Sequence, residues 1–428
     1  MSNQLYAGAG SAKFLIPQEL FPMEGFSGKI HDDPMVRVLL LSCGEQAAIV
    51  SMDMVMLLPP GVKCVKQAVE KMTGTKPENI WVHTTHAITT PHMPHPPFGG
   101  KGKELTEEQK QKLDADEEIY LAALNVAAEQ AAKAAKGSFR PAKMGVGKGE
   151  SFVNVNRDIS TPFGWWTGFN PNGYSNHTAA VLRFDDEDGG MIGALVSFAL
   201  KASAIDNSEM KQGTRQVCAD IPGLACALLE ERFGAPCLFA MSAACDQVPR
   251  EMALYDVVQA DGSVKTVDLG VEKGLEIVDR LGREMADDFA RIIEAAQCTV
   301  AHAPITLNAG SFEWTAKGRA KMQPTLPGQG EYRPDGPSTV EALTLAIGDV
   351  AFAGLKAELN AVTEAQLRQA SPYGETLVMT MVNGSHKYVP DQASYDNCSF
   401  AALGAPVMPG AAERWVEECV RLMTEMKG

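Results

Sequence analysis

The chain has 428 residues, 45% of them hydrophobic and 21% charged, enough apolar material for one large domain or two with a sizeable core. Its formal charge of -15 and pI near 5.1 repel phosphate backbones and anionic lipid headgroups, and no basic patch offsets them, so neither nucleic acid nor a membrane is expected as a partner. There is no basic n-region with an apolar core behind it, no stretch long enough to span a bilayer, and no CxxC pair among nine cysteines. The expectation is a cytoplasmic protein with reduced, mostly buried thiols.

In chain order, two apolar runs at 36–43 and 47–54 flank Gly44-Glu45 and predict adjacent strands ending near Asp53. A helix is expected at 61–72 and a third strand at 79–84, which puts His86 in the loop just past a strand end, where sites usually sit. Four of the eight histidines fall at positions 83, 86, 92 and 95, threaded with threonine and proline. Thr106 and Gln109 form a capping-box pattern, and the alanine-rich stretch behind them ends at Lys136-Gly137 like a helix. Strands at 179–184 and 191–200 enclose the turn DDEDGG, and the second runs into Lys201.

A helix at 214–233 and a buried strand at 236–241 follow. Leu275, Val278, Leu281, Met285, Phe289 and Ile292 then keep helical spacing along an amphipathic helix. Residues 323–338, QPTLPGQGEYRPDGPS, read as a long Pro/Gly-rich loop. Strands near 342–347, 350–355 and 376–382 precede a C-terminal helix from about 411, so the order of elements is mixed α/β throughout. The glycine-rich segments AGAGSA (7–12) and GVGKGES (145–151) complete neither GxGxxG nor GxxxxGK[ST], and no GxSxG, HExxH or EF-hand loop occurs.

Read together, several ordered stretches resemble the N-terminal catalytic domain of the neutral/alkaline, non-lysosomal ceramidase family. They are GKIHDDPMVRVLLL (28–41), SMD (51–53), THAITTP (85–91), NVNRD (154–158), CADIPG (218–223), CDQVP (245–249), KAELN (356–360) and VNGSHKYVPDQASY (382–395). The resemblance implies a mixed-sheet α/β domain over 1–428. It also implies hydrolysis of an amide by water on a zinc ion, held by two histidines, a glutamate and a tyrosine. By position these are His86, Glu358 and Tyr388, with Tyr395 as the other tyrosine to weigh. Imidazole, carboxylate and phenolate all suit zinc.

The departures are as informative. The second zinc histidine falls on FALKAS (198–203) as Lys201, and a protonated amine has no lone pair to donate. The serine of the family's Gly-Asp-x-Ser-Pro is Val248, the second histidine of its Thr-His-Thr-His is Ile88, and the further C-terminal β-domain of its ceramidases has no counterpart by residue 428. Ceramide is therefore not the expected substrate.

The expected site is His86, Glu358 and Tyr388 on a zinc ion, with His92 as a replacement ligand, and Lys201, Tyr388 and Asp246 as catalytic groups. Arg157, Asn156, Trp166 and His31 are the expected substrate contacts. Lys201 admits two roles: its ammonium can stand in for the lost cation, or a depressed pKa can make it a base or imine former. Arg157 can fork onto a carboxylate or phosphate, or merely fix its loop. Trp165, Trp166 and Phe169 suggest an aromatic platform, although such clusters are more often core. The leading reading is hydrolysis of an amide or related bond in a small polar substrate by metal-activated water. The others are a metal-free lyase, epimerase or isomerase on a carbohydrate-like substrate using Lys201, and a non-catalytic binding protein. A small molecule is the expected partner, with a homo-oligomer left open.

Overall fold

In a computed structural model, which describes residues 4–96, 105–206, 215–318 and 331–428, the first two apolar runs pair as antiparallel strands Met35–Cys43 and Glu45–Met52. They turn at Gly44, whose φ of 82° suits a residue without a Cβ. These strands are the middle of a five-stranded sheet in the order Ile80–Thr84, Glu45–Met52, Met35–Cys43, Tyr6–Lys13, Arg140–Pro141. Alternate side chains face opposite ways along a strand. Thus Leu39 and Leu41 enter a central core, while Val36, Val38 and Leu40 pack under the helices Pro59–Thr73 and Glu107–Gly137. Burial on both faces explains why this strand reads as an unbroken apolar run, and each fully buried leucine contributes about 1.5–3 kcal/mol.

Two more sheets repeat the plan. Cys237–Met241, Met191–Phe198, Thr178–Asp185 and Lys143–Glu150 form one, covered on its outer face by helices Asp220–Phe233 and Gly270–Ala295. Ile305–Lys317, Pro334–Ile347, Val350–Gly354 and Glu375–Met379 form the other, covered by helix Ala411–Lys427. Leu39, Trp81, Leu195, Leu238, Leu345 and Phe352 show that all three sheets supply the central core. Each sheet carries one parallel pair: Glu45–Met52 with Ile80–Thr84, Met191–Phe198 with Cys237–Met241, and Val350–Gly354 with Glu375–Met379.

His83 joins these pairs at their ends. Its Nε2 accepts the Met241 N–H at 3.0 Å, so its Nδ1 carries the proton and donates to the Thr380 carbonyl at 2.7 Å. Burial pushes its pKa down to about 4. It is a structural staple.

The glycine-rich segments that make no phosphate loop are strands pressed against helices. A Cβ on Gly10 would lie 2.4 Å from the Ala131 carbonyl oxygen, and one on Gly147 2.9 Å from that of Ile292. Three expectations are corrected. The strand from Met191 stops at Phe198, so Lys201 sits in the loop beyond it. The helix expected from 214 begins at Asp220, because Arg215–Val217 pairs as a strand with Phe26–Ile30; Thr214 lies outside the described residues. The loop expected over 323–338 lies outside the described residues up to 330, but Pro334 and Pro337 belong to a strand. They pair only with Lys317 and Thr315, since the neighbouring strand joins at Leu343 and beyond, so their missing N–H groups are tolerated along an edge.

Candidate active site

His86, Lys201 and Glu358 each follow the carboxyl end of a strand in a parallel pair, by two, three and four residues, and each comes from a different sheet. Loops beyond such strand ends are where α/β proteins place their sites. Lys201 Nζ lies 2.8 Å from Glu358 Oε2, and His86 Nε2 lies 3.4 Å from Glu358 Oε1. Lys201 and Glu358 are 3% and 2% exposed, so the pair is desolvated. The Lys201 contact is ionic without hydrogen-bond alignment, since Glu358 Oε2 has no aligned donor among the described residues. Burial raises the Glu358 carboxyl, but the Lys201 ammonium, with His86 beside it, outweighs this and holds its pKa down to about 2. For Lys201 burial favours the neutral amine, and Glu358 and Tyr388 outweigh it, so its pKa is raised and the ammonium persists.

His86 has a φ of 56°, a left-handed conformation that costs a residue with a Cβ about 1–2 kcal/mol. The strained turn is held by Ala87 N–H donating to the Met54 carbonyl and by His86 Nδ1 at 2.5 Å from the Val55 carbonyl. A carbonyl only accepts, so Nδ1 carries the hydrogen and Nε2 is the lone-pair nitrogen facing Glu358.

Tyr388 reaches the same place on a segment that runs beside Glu358. The Glu358 N–H donates to the Lys387 carbonyl and the Val389 N–H to the Glu358 carbonyl. Lys201 Nζ is 5.1 Å from the Tyr388 ring centre, and the Arg157 guanidinium lies 5.5 Å from that ring and 5.3 Å from Phe400. Arg157 is 7% exposed, yet its Nε and Nη2 have no hydrogen-bond partner among the described residues. Burial opposes its charge, and Tyr388 foremost among its neighbours outweighs that. His86, Arg157, Lys201 and Tyr388 line a cavity of about 370 Å³, a volume suited to a small molecule. Phe169, Asp206, Tyr255 and Phe400 are also among its lining residues.

Other expected site residues lie outside this lining. Asp246 accepts from Ala361 N–H at 2.9 Å and from Asn156 Nδ2 at 3.0 Å, while its carbonyl takes the Arg157 N–H. Burial, then the nearby Asp158, pushes its carboxyl up to about 7. Asp246 and Asn156 therefore position the segment that carries Arg157 and do not face the cavity. Trp166 is 5% exposed and donates its indole N–H to Asp256, bracing a wall from behind; its neighbour Phe169 faces the cavity. His31 pairs with Asp32 at 2.6 Å on the surface. His92 is not near Glu358 but beside Glu24 and His95, lining another cavity. Tyr395 is buried with its hydroxyl on the Val407 carbonyl, so Tyr388 is the tyrosine at the site. Cys245 is fully buried, and burial lifts its thiol well above the usual range, which makes it inert. Asp53 pairs with Arg37 at 2.7 Å, away from the cavity lining.

Sequence reading missed Tyr255 and the hairpin Leu254–Val258 and Val264–Asp268 that forms one wall. The turn Asp261-Gly262 between short β-branched runs was the available signal.

Zinc can be weighed against these donors. His86 Nε2 and Glu358 Oε1 stand about as far apart as two ligands on one tetrahedral zinc ion, whose bonds run about 2.0–2.2 Å. At the next position the side chain is an ammonium 2.8 Å from the same carboxylate, a cation that repels a metal and offers no lone pair. The set does not fit zinc while Lys201 is protonated.

The sheets, their parallel pairs and this strand-end pocket define a mixed α/β fold. Its particular form is that of the neutral ceramidases. A ceramidase complexed with C2 superposes with a TM-score of 0.72 at 14% identity, covering 99% of this chain and 75% of that one. The neutral ceramidase from Pseudomonas aeruginosa superposes with a TM-score of 0.71 at 13% identity, covering 100% and 75%. No protein-family model and no curated protein matches the sequence. Among the described residues no helix is long and apolar enough to cross a membrane.

Proposed function

We propose that the protein is a hydrolase of an amide or related bond in a small polar substrate that carries an anionic group. In this reading the Lys201 ammonium does electrostatic work where the resemblance calls for a metal. The observation that carries it is the desolvated Lys201–Glu358 pair beside Arg157, whose Nε and Nη2 have no hydrogen-bond partner among the described residues. A guanidinium with two unmatched donors suits a forked contact with a carboxylate. The ammonium, kept charged by Glu358, suits stabilisation of an oxyanion developing on a carbonyl. His86 Nε2, its other nitrogen committed to Val55, is the group able to take a proton from water, and Glu358 offsets the charge that results. Ceramide, with two long alkyl chains, suits neither the volume nor the charge of the cavity.

The pairing of Lys201 with Glu358 also supports the second reading, a metal-free lyase or isomerase. That reading needs Lys201 as a free amine, and its raised pKa opposes this. The hydrolase therefore leads.

The test is turnover of a panel of small amides and esters, with and without a carboxylate, by chelator-treated protein. Activity is expected to survive chelation and to fall at least about 100-fold in Lys201→Met, the scale of losing one oxyanion donor. Arg157→Met is expected to raise KM selectively for carboxylate-bearing substrates. Activity lost on chelation and restored by zinc would overturn the metal-free mechanism. Absence of turnover across the panel, with retained ligand binding, would make this a binding protein.

A further inference from the structure

Sequence reading placed His92 as a ligand at the catalytic centre, but the fold carries it away from Glu358 and against Glu24, a residue with no earlier role. His92 Nδ1 and its backbone N–H both meet Glu24 Oε2 at 2.9 Å, and His95 Nε2 lies 3.6 Å from Glu24 Oε1. The two imidazoles stand edge to face with ring centres 5.6 Å apart. One donor atom from each of Glu24, His92 and His95 falls within 4.8 Å of the other two. These separations bracket the edges of a coordination polyhedron with bonds of about 2.0–2.2 Å.

Three features make this more than a surface ion pair. His95 Nδ1 contacts the Pro96 carbonyl, which accepts only, so Nδ1 carries the hydrogen and Nε2 points its lone pair at a carboxylate. That juxtaposition is attractive only with a proton or a cation between the two atoms. Prolines at 94 and 96 fix the backbone on both sides of His95, lowering the entropy lost in presenting two imidazoles together. Finally, Asp116, itself held by Lys112 at 2.7 Å, lines the same cavity of about 200 Å³ and brings a second carboxylate to its wall. Two imidazoles and a carboxylate, with room beside them, is the donor chemistry of zinc and neighbouring first-row divalent ions, not of calcium or magnesium.

We infer that Glu24, His92 and His95 form a binding site for a first-row divalent cation, separate from the His86–Lys201–Glu358 centre, which ties the loop following His86 to the turn at Glu24. Metal binding to this protein is thereby assigned to a place where it takes no part in the chemistry.

The test uses the full chain, stripped with chelator and dialysed, titrated calorimetrically with zinc chloride alone. Cobalt(II) absorption serves as a second readout of imidazole and carboxylate ligation. One zinc per chain is expected in the wild type and in His86→Ala, and none in His92→Ala/His95→Ala. Glu24→Gln, which keeps shape and loses charge, should weaken zinc at least tenfold. Circular dichroism of the apo variants checks that they are folded, and His95→Gln, expected to weaken zinc at least tenfold, replaces the double variant if that one is unstable. Absence of zinc binding in the wild type would overturn the site. So would zinc that persists in His92→Ala/His95→Ala and disappears in His86→Ala, since that result puts the ion at the other centre.

Discussion

Replacing Lys201 by methionine keeps a long apolar stem and removes the charge, leaving the Glu358 carboxylate buried beside His86 without its ammonium partner. Breaking a buried pair by deleting one partner costs about 3–5 kcal/mol. The carboxylate agrees in direction: against burial, which would raise it, its pKa is held below the usual 4.5, down to about 2, with Lys201 the foremost cause. Because that pKa is depressed in the folded protein, its contribution is present above about pH 4.5 and is lost as pH falls towards 2. In Lys201→Met burial acts with much less opposition and the carboxyl shifts upward, so the sign inverts. The variant is least stable near neutrality and recovers as pH falls to 5. Urea unfolding followed by tryptophan fluorescence from pH 5 to 8, on wild type, Lys201→Met and Lys201→Met/Glu358→Gln, measures both effects. The double variant should regain about 2 kcal/mol or more over the single one at pH 7, because a neutral amide no longer strands a charge. A Lys201→Met protein within about 1 kcal/mol of wild type at pH 7, with a parallel pH profile, would refute a charged Lys201–Glu358 pair.

His83, with a folded pKa of about 4 against the usual 6.5, binds its proton more readily in the unfolded chain. Wild-type stability should therefore fall as pH drops from 6.5 to 4, and the gap to His83→Gln should narrow by about 3 kcal/mol over that window; parallel curves would show that His83 does not titrate. Gly10→Val forces a side chain onto the backbone of the helix Glu107–Gly137 and should cost about 3 kcal/mol or more in thermal unfolding. Gly44→Ala, with open space but a φ of 82°, should cost only about 1–2 kcal/mol, and equal losses at the two positions would contradict the close-packing argument.

Local chemistry was readable in the chain itself. The apolar runs at 36–43 and 47–54, the capping box at Thr106 and Gln109, and the spacing from Leu275 to Ile292 became the strands and helices they describe, since each depends on neighbours a few residues apart. The ordered motif resemblance likewise led to the fold that the solved ceramidases share and to the grouping of His86, Lys201, Glu358, Tyr388 and Arg157. Where sequence reading failed, the cause was distant contact. Pro334 and Pro337 entered a strand because a long partner strand offered them an edge position, and the glycines of 7–12 and 145–151 were needed by helices lying across them. Three residues more than 100 positions apart met only because three sheets share one core and point their parallel strand ends into one pocket. The direction of a loop is likewise not a local property. His86 and His92 lie six residues apart in one proline-rich segment, yet tertiary packing sent the first to Glu358 and the second to Glu24. Composition and periodicity determined which segments fold and how; the charge and identity of each side chain's partner, and hence its chemistry, were decided by which sheet ends packed together.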